Sequence, residues 1–266
     1  MMQALSELLA HFHTLKNKQF LYLPVHLASV DIRARYIRTG LGRFWFLLNP
    51  LFQAALFTLF YSAFRGEFDS NYPLYVLSGI LLWEVVVSSV GVGTTAFIYA
   101  EGYLRNFNFP LIVYLLRVPI YVTFVYLNYC LILLFAILLF KPISFFYVLV
   151  TLIIIIPYVF LISFSLTLVY SYLGLLWRDI SSVMSHILQA VWFISPVFIW
   201  KDFFSENFSA LLYYNPIYYL LNIVRKPLFD HEVPSIIDIT IPLIIVILFL
   251  IVGVFLHKKY RKKIAL

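Results

Sequence analysis

Between Arg43 and Arg65 the chain carries no charge, and just before that gap it is crowded with arginine. Arg33, Arg35, Arg38 and Arg43 all fall within 31–50, and the twenty-one residues 44–64 that follow Arg43 are uncharged and mostly apolar. As a helix rising 1.5 Å per residue they extend roughly 30 Å, the thickness of a bilayer's hydrocarbon core. A backbone crossing lipid has to satisfy its own hydrogen bonds, so an apolar run of this length is a helix. The stretch predicts a basic, water-facing segment that leads straight into a membrane span.

The same pattern recurs. Apolar runs separated by charge predict six spanning helices, at 44–64, 72–97, 109–140, 143–176, 183–200 and 236–257. The third and fourth are longer than an upright helix needs, so they tilt, project past the lipid or kink, with Pro119 and Pro157 as the candidate kinks. With 63% hydrophobic residues, 12% charged residues and a mean hydropathy of +0.95, the composition excludes an ordinary soluble globule, whose charged share is about a quarter. The expected fold is a single all-α integral membrane domain over 1–266. Its lone cysteine, Cys130, excludes a disulfide or thiol cluster within the chain. Residues 1–23 carry polar side chains where the apolar core of a secretory signal would stand, so no signal peptide is expected.

Charge placement orients the spans. Fourteen Lys and Arg residues fall in the segments on one side of the six spans and five on the other, where seven of the twelve acids gather. The positive-inside rule then puts both termini in the cytoplasm. The net charge of +7 is explained by this distribution, and no nucleic-acid partner is expected. Residues 5–22 place Leu5, Leu8, Leu9, Phe12 and Leu15 at helical spacing, as in an amphipathic helix lying in the membrane interface. Pro24 is expected to end it, with a second basic helix over 25–40. The segment 201–235 is too polar to cross and too apolar for an ordinary loop. It reads equally as a pair of re-entrant helices or as a surface helix, with Tyr214, Asn215, Pro216 and Tyr218 at its centre.

The chain lacks the pattern of an enzyme. It has no Gly-rich loop leading into Lys-Ser or Lys-Thr, and its six histidines show no metal-binding spacing. Any energy source must come from a partner or an ion gradient. Two charges lie deep within predicted spans, Glu84 and Arg117, where each costs on the order of 2.5–3.5 kcal/mol. Glu84 is either a channel-lining or interface carboxylate, or an outer-leaflet residue reaching headgroup water; Arg117 either serves a function or snorkels to the boundary. Aromatic residues form one fifth of the chain. Many fit interfacial belts, but Phe52, Phe57, Phe60 and Tyr61 in the first span and Trp192, Phe193, Phe198 and Trp200 in the fifth are spread through depth. Flat apolar rings stack on the C–H faces of sugars, so these eight are the candidates for lining a glycan path.

In order and spacing the chain resembles the permease subunits of polysaccharide ABC exporters, the type-2 class that moves O-antigens, capsular polysaccharides and teichoic acids. The likeness is carried by 31–50 (a basic connector, Leu41-Gly42, an aromatic pair and Asn49-Pro50), by 72–83, by 174–196 with Trp177-Arg178-Asp179 and Ser195-Pro196, and by Asn215-Pro216 with Tyr218. The resemblance implies a homodimer joined by two copies of an ATP-binding subunit, which would hold ATP and Mg; this chain would hold no cofactor. It also implies a coupling helix at 100–109, with Glu101, Tyr103 and Arg105 against that subunit and Arg178 and Asp179 at a second contact. The cargo would be a lipid-linked polysaccharide moving between protomers, past the first and fifth helices, under a gate formed by 201–228. Arg33, Arg35, Arg38 and Arg43 are candidates for a lipid pyrophosphate, through charge-assisted bidentate contacts; the alternative is that they fix orientation and touch anionic membrane lipid. An exporter of lipid or drug, and an enzyme acting on lipid-linked glycan, are the competing functions.

Overall fold

The computed structural model describes residues 18–36, 40–106, 110–198 and 212–264. Every regular element among them is helical. The amphipathic segment before residue 18, Arg38, Trp200 and 201–211 lie outside the described residues.

Among the described residues ten α-helices follow one another: α1 (Lys18–Tyr36), α2 (Trp45–Arg65), α3 (Tyr72–Thr94), α4 (Ala96–Asn106), α5 (Leu111–Phe140), α6 (Phe145–Ile154), α7 (Ile156–Leu176), α8 (Ile180–Ile194), α9 (Pro216–Arg225) and α10 (Ile236–Ile264). Five of them, α2, α3, α5, α7 and α10, are long and apolar enough to cross a bilayer. This is an all-α, multi-pass membrane protein. The fifth run expected from the sequence appears as α8, whose 15 residues reach about 22 Å at 1.5 Å per residue, short of the hydrocarbon core.

Three boundaries differ from the sequence expectation, each for a local reason. Pro24 does not end a helix but lies inside α1; Leu23 and Leu27 pack against Tyr114 of α5 on either side of it, which offsets the one backbone bond a proline removes. The run 72–97 breaks at Thr95, so its last residues belong to α4. The run 143–176 is a 3₁₀ turn followed by two helices that meet at Ile155. Pro157 has no N–H to give to residue 153, and its ring crowds that carbonyl. Pro119, by contrast, sits inside an unbroken α5.

α3 is the hub. Its side chains are buried nearly all round, whereas α2 and α10 leave most of theirs exposed. Lipid tails are as apolar as leucine, so helices in a membrane associate through close packing and hydrogen bonds. The crossing of α3 and α7 depends on this: a β-carbon at Gly174 would overlap the Thr94 carbonyl, and one at Gly93 would lie 3.2 Å from the Thr167 Cα. The chain order places α4, residues 177–179 and the end of α10 at one end of the bundle, here called the basic end. The turns 66–71, 141–144 and 226–235 lie at the other.

Candidate functional site

At the basic end α1 runs beside the start of α5 and in the same direction. Asp31 lies 3.5 Å from Arg117, an ion pair across the two helices, and one turn further along Arg35 donates to the Tyr121 hydroxyl and faces its ring. The arginine Nε and the carboxylate Oδ2 that meet here have no hydrogen-bond partner, so the contact is coulombic; Arg117 Nη2 donates to the Ala96 carbonyl at 3.2 Å. Burial pushes the Asp31 carboxyl above its ordinary value, and the Arg117 charge opposes that shift. Glu84, on α3, accepts from Ser88 at 2.5 Å and is within electrostatic reach of Arg35. The connector helix thus brings Asp31 against the buried Arg117 charge and Arg35 within electrostatic reach of Glu84. Arg33 on the same helix is exposed. The side chain of Arg43 lies outside the described residues.

The aromatic candidates separate into two groups. Phe57 of α2 stacks on Phe198 with ring centroids 4.5 Å apart and lies 6.2 Å from Trp192. Trp192 meets Trp83 of α3 edge-on at 5.5 Å and stacks near Phe198 at 5.8 Å, and Phe193 closes on Phe198 at 6.0 Å. These rings form a seam between α2, α3 and the end of α8. Phe52 and Phe60 are exposed. Tyr61 is buried, stacked on Tyr72 at 3.8 Å.

At the far end α9 is pinned at both termini to the bend after α8. Asn215 caps α9 by accepting from the Ile217 N–H at 3.0 Å, the capping role asparagine favours, and its amide donates to Ser195 at 2.8 Å. At the other terminus Arg225 is buried and donates to the carbonyls of Pro196 (2.6 Å), Val197 (2.8 Å) and Tyr75 (3.2 Å) and to the Ser78 hydroxyl (3.5 Å). Its guanidinium carbon lies 3.5 Å from the centroid of the Tyr75 ring. Gly79 makes the arrangement possible, since a β-carbon there would collide with the Val197 carbonyl. Beyond the π-helical turn Lys226–Asp230, buried Asp238 at the start of α10 takes Lys226 at 2.5 Å and Asn222 at 3.3 Å. Tyr214 is almost fully exposed, while Pro216 and Tyr218 are half-buried on α9.

Of the contacts expected for a partner, Glu101 on α4 and Arg178 and Asp179 before α8 are exposed at the basic end. Phe97 and Ala100 anchor α4, with Phe97 edge-on to Tyr172 of α7 at 5.1 Å. The side chains of Tyr103 and Arg105 lie outside the described residues. Sequence reasoning missed Arg225, Tyr75, Trp83 and Tyr121 as organising residues. The available signal for Arg225 was a charge closing an otherwise apolar run, 216–224.

No family model matches the chain. It is 25% identical over 224 residues to the O-antigen export system permease protein RfbA of Myxococcus xanthus, covering 82% of this chain and 84% of that one. The chain resembles polysaccharide-export permeases. Two O-antigen export system permease proteins RfbA of Klebsiella pneumoniae are each 24% identical over 207 residues, covering 73% of this chain and 75% of theirs. Matches of that extent take in most of this permease-like chain.

Proposed function

We propose that this chain is the membrane-spanning permease subunit of an ATP-driven ABC exporter that moves lipid-linked polysaccharide of the O-antigen or capsule kind across the bacterial inner membrane. The observation that carries the reading is the likeness to O-antigen export permeases along most of both chains. The half-buried aromatic seam of Phe57, Trp192 and Phe198 supports it physically, because it is apolar and carries no hydroxyl-specific set of donors. Two copies of the chain would pair, with the exposed Phe52 and Phe60 of α2 toward the shared path. The basic end would be cytoplasmic, and two ATP-binding subunits carrying ATP and Mg would sit on it, against Glu101, Arg178 and Asp179. A short helix between long spans transmits motion through packing and charge pairs, and α4, with Phe97 and Ala100 buried and Glu101 exposed, has that form. The α9 region, with Tyr214, Asn215, Pro216 and Tyr218, would close the outer end.

Affinity purification of the tagged chain should recover an ATPase subunit, and reversing Glu101, Arg178 and Asp179 together should release it. Deleting the gene should leave completed lipid-linked glycan inside the cell. Purification without any ATPase, or a deletion that leaves no glycan made at all, overturns the reading, the second result in favour of an enzyme of glycan assembly.

A further inference from the structure

Opposite the basic end, a cavity of about 410 Å³ opens between the start of α3, the end of α5, α9 and the π-helical turn. That volume lies in the range of roughly 300–1,000 Å³ typical of small-molecule sites. Its lining is chemically mixed in a definite way. Lys141 Nζ donates to the Phe229 carbonyl at 3.1 Å and sits 4.9 Å from the centroid of the Phe229 ring, which uses one of its three donors. Burial draws its ammonium below the ordinary lysine range, with Asp230 opposing. Arg225 forms another part of the wall, and its bonds to Pro196, Val197 and Tyr75 go to neutral carbonyls, so its charge still acts across the cavity. Lys226 also lines it and is balanced by Asp238. Asn71, Asn222, Tyr218 and Asp230, each with a polar side chain, complete the polar part of the lining.

We propose that this cavity binds a phosphate group carried on a hydroxyl-bearing moiety. Lys141 is the principal contact to the phosphate, Arg225 supplies the fixed positive field, and Asn71, Asn222 and Asp230 meet neighbouring hydroxyls. Asp230 disfavours a bare anion but accepts from a hydroxyl, and the volume leaves room for both parts of such a ligand. Two sources share this chemistry, a phospholipid headgroup from the adjoining leaflet and a water-soluble sugar phosphate. The proposal does not depend on what the chain transports.

The test is equilibrium binding to the purified full-length chain, with any subunit that accompanies it. The probes are dihexanoyl phosphatidylglycerol, glucose 1-phosphate and glucose. At least one phosphate compound should bind saturably, weaken about tenfold or more in Lys141→Gln, and recover in Lys141→Arg, as expected for loss of a charge-assisted hydrogen bond. Binding of the lipid alone assigns a headgroup; binding of glucose 1-phosphate assigns a soluble ligand. Binding of neither, equal binding of glucose, or a Lys141→Gln chain that binds like the parent overturns the proposal. Lys141→Arg separates lost charge from lost folding.

Discussion

Asp31 and Arg117 meet at 3.5 Å between the connector helix and α5 with no hydrogen bond to join the atoms that face each other. The arginine is 3% exposed and the aspartate 31%, so the two partners do not lose equally when the contact is broken. Removing Asp31 strands a buried guanidinium with the Ala96 carbonyl; removing Arg117 leaves a carboxylate that water can reach. Breaking a fully buried pair costs about 3–5 kcal/mol, and the exposure of Asp31 reduces that here. Asp31→Leu should therefore destabilise by about 1–3 kcal/mol, and Asp31→Leu with Arg117→Met together by less than the sum of the two alone. Thermal unfolding in detergent of both single variants and the double variant measures the difference. Additive losses would mean that the pair is not coupled.

The same carboxyl gives a pH signature. Burial raises its folded pKa above the unfolded value of about 3.9, so in the window between the two the native state binds more protons than the unfolded state. Unfolding free energy must then fall as pH rises through that window and level off above it. Asp31→Asn should remove this part of the slope. Denaturation midpoints of parent and variant across mildly acid pH provide the check, and identical slopes would contradict it.

Much of this fold is legible in the chain because spans announce themselves by the absence of charge: 44–64 became α2 and 109–140 became α5 with small shifts at their ends. The helix break at Thr95 was harder to read, because nothing there interrupts the apolar run, whereas Pro157 marks the break at Ile155. The partners of Arg117 and Tyr121 were not legible, because an i, i+4 spacing on α1 says that Asp31 and Arg35 share a face but not which helix that face meets. Arg225 reads in sequence as one charge among several on the less basic side; its carbonyl cage exists only because Gly79 lets the bend after α8 approach α3.

Glycines on α3 and α7 make opposite predictions. At Gly174 an added β-carbon would overlap the Thr94 carbonyl, whereas at Gly91 it would enter open space. Gly174→Ala should force the helices apart and cost about 1–3 kcal/mol or more. Gly91→Ala should be neutral or stabilising by up to about 1 kcal/mol, through reduced freedom of the unfolded chain. Midpoints of thermal unfolding for the two variants rank them directly, and equal midpoints would contradict the packing described for the α3–α7 crossing.

Phe52 and Phe60 are 58% and 64% exposed, and neither takes part in the seam formed by Phe57, Trp192 and Phe198. Replacing both with alanine should leave the stability of a single chain within about 0.5 kcal/mol, while Trp192→Ala, which removes a half-buried ring packed on Phe57, Trp83 and Phe198, should cost about 1–3 kcal/mol. If α2 faces a second copy, the Phe52/Phe60 variant should nonetheless shift the purified protein toward a single-copy mass by light scattering. A variant that keeps the parent's mass would place the contact between copies on another helix.

Arg225 should resist even conservative change. Lysine keeps the charge but cannot fork toward the Pro196, Val197 and Tyr75 carbonyls together, since its donors radiate from one atom on a flexible stem. Leaving buried carbonyls without donors costs about 1–3 kcal/mol for each group. Because Asn215 still holds the other terminus of α9 through Ser195, the loss should be local: Arg225→Lys should free the C-terminal half of α9 while the spans stay folded. Introducing cysteine at Leu221, buried in the parent, and timing its reaction with a membrane-impermeant thiol reagent reads this out. Faster labelling in the Arg225→Lys background, with an unchanged midpoint for the spans, is the expected result; equal labelling would show that the carbonyl cage does not hold α9 in place.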